Sequence, residues 1–266
     1  MPHRHPPALP QLSIVLPCYN EAAGLESLLK RFEKVGRGVS YELILVDNGS
    51  TDETPQLIPR LLPHFPFATS VRIERNQGYG HGILTGLRAA VGDALAWSHA
   101  DLQTDPADIF RAWQRYRQAD RPRQTLVKGR RRGRALQERV VTWGMQTLAT
   151  VLLRTRLHEI NAQPKVFHRD LLNCLADPPI DLNFDLYVLY VAKQCGWRVE
   201  TIPVDFPPRQ FGESSWATTW RSKIRAMARS ARYMLQLAAS PKPRLESARP
   251  IAAHQAGRVA PRKSAA

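Results

Sequence analysis

The sequence predicts an α/β fold: a mostly parallel central sheet with helices on both faces, followed by an amphipathic helix. Three observations predict it. Short apolar runs alternate with helical periodicities from residue 12 to about residue 128. An apolar content of 43% over 266 residues is enough to build one sizeable core. The segments that follow the apolar runs are rich in Asp, Asn, Tyr and Gly, which suits the ligand-facing edge of such a sheet.

Residues 1–10, MPHRHPPALP, carry four prolines and read as a flexible lead-in, not a signal peptide. Leu12–Leu16 is a buried strand that stops at Pro17. Asn20 then caps a helix with Leu25, Leu28, Leu29 and Phe32 on one face. Tyr41–Val46 is a second strand, and Ser50 with Glu53 makes a capping box for a helix over 52–62. A strand over 68–73 and a helix over 79–91 come next. Ala94–Ser98 is the fourth strand, 106–118 a helix, and Gln124–Lys128 the fifth strand. Residues 135–156 form a long apolar helix whose narrow polar stripe is Thr142, Gln146 and Thr150. A short strand at 166–168, a short helix at 169–175, a helix at 183–195 and a strand at 197–204 follow. Trp220, Ile224, Met227, Ala231 and Met234 repeat at helical spacing beside Arg221, Arg225 and Arg229, a basic amphipathic helix over 216–239. From 240 to 266 the Pro/Ala/Arg-rich chain reads as a disordered basic tail.

Composition narrows the function classes. Cys18, Cys174 and Cys195 fit no zinc or disulfide spacing, which points to a reducing compartment. The longest uncharged run, Val140–Leu153, falls short of the roughly 20 apolar residues a bilayer-spanning helix needs. The net charge of +15 sits in residues 121–139, 219–232 and 240–266, around a nearly neutral remainder. Its natural partners are phosphates. A nucleic-acid-binding protein is the rival class. It is disfavoured because the aromatics are not interleaved with the charge and no helix-turn-helix or zinc pattern appears.

Six stretches carry chemistry. In ALAWSHADLQTD, residues 94–105, His99, Asp101 and Gln103 stand at alternate positions after a strand. In an extended chain they would point one way and offer a nitrogen and two oxygens to a divalent cation that itself holds a diphosphate. The competing reading makes Asp101 and Asp105 helix caps and His99 a surface imidazole. PCYNE at 17–21 and VDNGSTD at 46–52 put a flat ring and carboxylates at two strand ends, where a nucleoside would find stacking and hydrogen-bond acceptors. NQGYGHG at 76–82 is a glycine loop; Ile83 in place of glycine, and its position after the third strand, exclude a dinucleotide fingerprint. KGRRRGR at 128–134, with Arg139 and RQFGESSW at 209–216, supplies guanidinium forks suited to phosphate oxygens.

On these motifs the chain, over roughly residues 12–215, resembles glycosyltransferase family 2, whose fold is the GT-A fold. Within it the chain is similar to the polyprenyl-phosphate sugar transferases of the dolichol-phosphate mannose synthase type. The resemblance implies a nucleotide-sugar half over 11–130 and an acceptor half over 131–215. It implies that Pro17, Tyr19, Glu21, Val46, Asp47, Asn76 and Gly78 bind the nucleotide sugar. It places a metal, Mn²⁺ or Mg²⁺, on His99, Asp101 and Gln103, with His99 where an aspartate is usual. Imidazole favours the softer Mn²⁺, and metal-dependent activity is then expected to fall as pH drops through about 6.5. The resemblance also places an acceptor phosphate on Arg130, Arg139, Arg209 and Ser214. INAQPKVFHR, residues 160–169, departs from the usual acceptor-side segment, so the acceptor and the role of Asp185 stay open.

The expected activity is an inverting, metal-assisted transfer of a sugar to a polyprenyl phosphate, with Asp101, Arg130 and Arg209 in the catalytic centre. Transfer to a hydroxyl of a glycan or glycolipid is the alternative, and it would need Asp185 as a base. An inactive relic of the fold is a third reading. The five Lys/Arg of residues 219–232 could contribute roughly 5 kcal/mol toward an anionic membrane, about 0.2 mM affinity. The expected location is therefore peripheral, on the cytoplasmic face of the cell membrane. A homodimer contact or cover for the sheet is the other use for the two apolar helices.

Overall fold

The computed structural model describes residues 9–133, 136–207 and 220–241, with side chains undescribed at 136–141, 220, 221 and 223. The chain forms β1 (Leu12–Cys18), α1 (Ala22–Val35), β2 (Tyr41–Asn48), α2 (Thr54–Leu61), β3 (Ala68–Ile73), α3 (Tyr79–Ala89), β4 (Ala94–Trp97) and α4 (Pro106–Arg117). It continues with β5 (Thr125–Arg132), α5 (Leu136–Leu153), β6 (Lys165–His168), α6 (Phe184–Gln194), β7 (Arg198–Asp205) and α7 (Trp220–Ala239). The seven strands form one sheet in the order β3-β2-β1-β4-β6-β5-β7. Every pairing is parallel except those of β6, which runs antiparallel to both β4 and β5.

Strand alternation splits the core into two layers. Val15, Ile44, Val46, Leu95 and Trp97 face α3, α6 and the buried ends of α5 and α7. Ile14, Leu16, Leu43, Leu45 and Ala96 face α1, α2 and α4. Both faces of the inner strands are covered, so they read as unbroken apolar runs. Helix α6 is buried almost all round, from Phe184 to Ala192.

The chain direction reverses its strand order at β1, which has β2 on one side and β4 on the other. In open α/β sheets the ligand crevice opens beyond the carboxyl ends of the strands at such a point. Cys18 lies beside Asp47, and Val15 beside Trp97. The tips of β1, β2 and β4 therefore share one edge.

Two strands run further than the sequence suggests. Pro17 lies inside β1. Strand β5 extends to Arg132 because β7 pairs with it residue for residue, Arg132 meeting Asp205. The arginine run 130–132 is thus strand.

Candidate functional site

Four loops stand at the carboxyl ends of β1–β4, where such a fold opens its ligand crevice. The first two, after β1 and β2, are laced together by side chains that sequence reading assigns to helix caps. Asn20 does not cap α1, whose cap position is Glu21. Asn20 takes a left-handed backbone, φ 58°. Its Oδ1 accepts hydrogen bonds from Thr51 N (2.8 Å) and Asp52 N (3.3 Å). The Ser50–Glu53 capping box does not form, since α2 begins at Thr54 with no side-chain cap bond. Ser50 Oγ instead accepts from Asn20 N at 3.1 Å, and Thr54 Oγ1 from Glu21 N at 3.0 Å. Tyr19 and Glu21, half-buried, are held on this braid.

Asp47 closes the braid from below. It is 3% exposed. Its Oδ1 accepts Ser50 N at 2.9 Å. Its Oδ2 is buried without a hydrogen-bond partner among the described residues, and Arg72 Nη1 stands 3.8 Å away. An acceptor left bare in this way costs free energy unless a ligand completes it. A base N–H or a ribose hydroxyl is the matching donor.

The third loop, NQGYGHG, hangs from Asn48, whose Nδ2 donates to Gly78 O at 2.9 Å. Asn76 Oδ1 accepts Gly78 N at 2.9 Å and folds the loop on itself. Gly78 has φ 106°, and a Cβ there would lie 2.4 Å from Ile180 O. His81 N donates to the same carbonyl at 3.1 Å. The glycine loop is therefore clamped by residues 179–181, about 100 residues further along the chain, a contact the sequence does not announce.

The fourth loop follows β4. The strand stops at Trp97, and the chain bends through 98–105 with Leu102 at φ 58°. The alternation argument for His99, Asp101 and Gln103 therefore fails, because the backbone there is not extended. Asp101 is 6% exposed and its Oδ1 accepts Gln103 N at 3.0 Å. Gln103 Nε2 donates to Pro207 O at 3.3 Å, turning that amide toward β7. His99, half-buried, lies beside Tyr79 with ring centroids 5.9 Å apart. Asp105 caps α4, accepting Ala107 N at 2.9 Å. No three His, Cys, Asp or Glu side chains gather into a metal cage among the described residues. His99 and Asp101 stand two residues apart on this loop, and a donor set of one imidazole and one carboxylate is one that Mn²⁺ or Mg²⁺ would accept, completing the shell with phosphate oxygens and water.

Behind these loops lies a buried polar group that sequence reading missed except for Asp185. Lys165 Nζ pairs with Asp185 Oδ1, both side chains almost fully buried. Gln163 Nε2 donates to Asp185 Oδ1 and to Tyr79 Oη, each at 3.0 Å. The Lys165 ammonium stands 5.2 Å from the centroid of Trp97, which packs edge-on against Phe167 and Phe184. Beside it in register is Lys128, whose Nζ donates to the carbonyls of Gly129 and His158. Burial, and then the neighbouring Lys165, hold Lys128 well below the usual lysine range. The available signal was a lysine bordering an apolar run in each of two strands, Lys128 after Leu126–Val127 and Lys165 before Val166–Phe167.

Among the arginines, Arg130 is exposed at the end of β5. Arg131 pairs with Glu159 at 3.0 Å and lies 5.5 Å from the Phe206 ring. Arg209 and Ser214 lie outside the described residues, and of Arg139 only the backbone is described.

A family model, glycosyl transferase family 2, matches residues 13–174. The chain belongs to glycosyl transferase family 2. Its relatives within and around that family include glycosyltransferase AglD of Haloferax volcanii, 27% identical over 75% of this chain and 33% of the relative. An undecaprenyl-phosphate 4-deoxy-4-formamido-L-arabinose transferase of Pseudomonas paraeruginosa is 37% identical over 39% of this chain and 32% of its own length. An uncharacterized glycosyltransferase of Mycobacterium tuberculosis is 28% identical over 81% of this chain and 94% of its own. This family 2 chain thus spans about a third of the length of the first two. Its fold is shared with glucosyl-3-phosphoglycerate synthase of Mycobacterium tuberculosis in complex with Mn²⁺ and UDP (TM-score 0.65, 20% identity, 86% of this chain and 80% of that one). It is shared too with a mannosyltransferase of Pyrobaculum calidifontis in complex with GDP-Man and Mn²⁺ (TM-score 0.59, 20% identity, 88% and 74%). The architecture is the GT-A fold.

Proposed function

We propose that this family 2 chain transfers one sugar from a nucleotide-diphosphate donor to a polyprenyl phosphate, with inversion at the anomeric carbon. The observation that carries the donor half is the buried Asp47 Oδ2 at the shared tip of β1 and β2, which accepts no hydrogen bond among the described residues and has the Arg72 guanidinium 3.8 Å away. Tyr19 offers a face for the base, and Glu21 and Asp47 accept its N–H or the ribose hydroxyls. Pro17, Val46, Asn76 and Gly78 shape the floor. The diphosphate extends toward β4, where His99 and Asp101 would hold a divalent cation, Mn²⁺ or Mg²⁺. Bound there, the cation supplies charge neutralisation for the departing nucleoside diphosphate.

The acceptor half is carried by Asp185. Its carboxylate is sealed against Lys165 and Gln163, so it is not poised to take a proton from an incoming hydroxyl. A phosphate monoester needs no such base, because its second ionisation lies near pH 6. Its oxygen forms the bond to the anomeric carbon as the bond to the donor phosphate breaks. Arg130, Arg139, Arg209 and Ser214 are the groups assigned to that phosphate, and guanidinium forks match its geometry. The polyprenyl-phosphate specificity in the name of the Pseudomonas relative supports the same acceptor class.

A lipid acceptor calls for a membrane-facing surface. Among the described residues no helix is long and apolar enough to cross a membrane. Helices α5 and α7 pack on each other. Trp143 and Val151 on α5, 68% and 67% exposed, point outward with Ile224, Met227 and Leu235 on α7. Arg225, Arg229 and Arg232 are exposed on α7 among them. The polar stripe Thr142, Gln146 and Thr150 is turned partly inward. Apolar residues flanked by arginines suit the headgroup layer of an anionic membrane, reached from the cytoplasmic side. Incubating the chain with radiolabelled UDP- and GDP-sugars and either undecaprenyl phosphate or a glycan acceptor tests the proposal. Label in the lipid-phosphate fraction supports it, and label only in the glycan refutes it.

A further inference from the structure

The glycine loop and the loop after β4 meet at one pair of rings. Tyr79, the first residue of α3, lies against His99 with centroids 5.9 Å apart and planes inclined by 33°. Its hydroxyl is buried and accepts from Gln163 Nε2 at 3.0 Å. The same amide donates to Asp185, which is paired with Lys165, whose ammonium stands over Trp97. Trp97 is two residues before His99. The contacts thus form a closed ring: Tyr79, Gln163, Asp185, Lys165, Trp97 and, along the backbone, His99. Its backbone is pinned as well. Gly78 and Gly80 flank Tyr79, and each abuts a main-chain carbonyl of residues 179–180. A tyrosine gripped at its hydroxyl and its backbone has one place to put its ring.

We propose that Tyr79 is a positioning residue for His99, fixing the imidazole plane so that its nitrogen faces the diphosphate side of the crevice. This rests on His99 being a metal ligand. An imidazole already held in one orientation loses less freedom on ligation, and outer groups that orient a ligating histidine are typically worth about 10–100-fold in metal affinity. The hydroxyl matters because Gln163 holds the ring through it; the ring matters because it touches the imidazole.

The test is Mn²⁺ binding to the full chain, read from the electron paramagnetic resonance signal of free Mn²⁺ in the presence of UDP and, separately, GDP. Nucleotide affinity without metal is measured alongside by calorimetry. Tyr79→Leu should weaken Mn²⁺ binding by about 10–100-fold, Tyr79→Phe by a few-fold, both leaving metal-free nucleotide affinity within about twofold. In the His99→Ala background, Tyr79→Leu should add nothing, because the two act as one unit. Wild-type Mn²⁺ affinity in Tyr79→Leu, or full additivity with His99→Ala, overturns the inference while leaving the ligand reading intact. Unchanged Mn²⁺ binding in His99→Ala itself overturns both, and is told apart because the histidine variant is then silent. If Tyr79→Leu fails to fold, Tyr79→Phe and Gln163→Leu decide: unchanged Mn²⁺ affinity in both overturns the inference.

Discussion

A carboxylate oxygen sealed from water without a hydrogen bond is destabilising, and Asp47 keeps one, with only the Arg72 guanidinium 3.8 Å away. Asp47→Asn retains an oxygen for Ser50 N–H but puts a donor where the ligand's donor must arrive. Nucleotide affinity by calorimetry should fall at least about tenfold, roughly 1.4 kcal/mol, while the melting temperature holds or rises. Lys128 supplies a second prediction, in stability against pH. Burial lowers its folded pKa below the unfolded value near 10.5. Between those two values the unfolded chain binds more protons than the folded one, so stability falls as pH falls through that window. Lys128→Met should therefore stabilise the protein most at neutral pH, and its advantage should shrink as pH approaches 10.5. Thermal melts of both proteins from pH 6 to 10 check this; a constant difference would contradict it. Asp185→Asn is a poor probe of a catalytic base, because it strands the buried Lys165 ammonium. The pair replacement Lys165→Met with Asp185→Leu removes the ionic group without leaving a lone charge.

The loops after β1 and β2 act as a single unit because Asn20, Ser50 and Thr54 bond across them. Asn20→Gly keeps a residue comfortable at φ 58° but removes the side-chain acceptor. It should cost about 1–2 kcal/mol by denaturant unfolding and weaken nucleotide binding with it. A stable variant with wild-type nucleotide affinity would show that the lacing is not needed. The same residues show where sequence reading stops. Asn, Ser, Thr and Asp before an apolar periodicity are reasonably read as caps, since the helix N–H groups are the local donors. Here the donors that won are backbone amides about 30 residues away, and nothing local encodes them. The periodicities that define strands and helices are local, and those elements appear where Leu12–Leu16, Tyr41–Val46 and Ala94–Ser98 point. The bend after Trp97 was hidden for a similar reason: β4 loses its pairing partners there, and a strand without partners need not stay extended.

The whole molecule has one edge where the tips of β1, β2 and β4 meet, fixed by strand order, and an apolar flank, fixed by how α5 and α7 pack. Met234 and Leu237 bury α7 in the core, whereas Ile224, Met227 and Leu235 stay outside. Met234→Ala should lower stability by about 2 kcal/mol or more. Replacing Trp143, Val151, Ile224 and Met227 together by Asn or Gln should leave the melting temperature near wild type and abolish sedimentation with anionic vesicles. Wild-type sedimentation should weaken as salt is raised. Undiminished binding by the fourfold variant would move the membrane contact elsewhere. That PCYNE, VDNGSTD and HADLQ share one edge was legible because the three motifs fall at three strand tips that parallel pairing must align. The clamp of residues 179–181 on the glycine loop, and the Lys165–Asp185 pair beneath it, depend on β6 entering the sheet antiparallel, which no periodicity foretells.

The most direct measurement is a thermal-shift panel of UDP- and GDP-sugars, with and without Mn²⁺, on the wild-type chain and on Asp47→Asn. One nucleotide class should raise the wild-type melting temperature, more so with Mn²⁺, and Asp47→Asn should lose that rise. No shift with any nucleotide sugar, or an equal shift in Asp47→Asn, would contradict a nucleotide-sugar pocket at the tips of β1, β2 and β4.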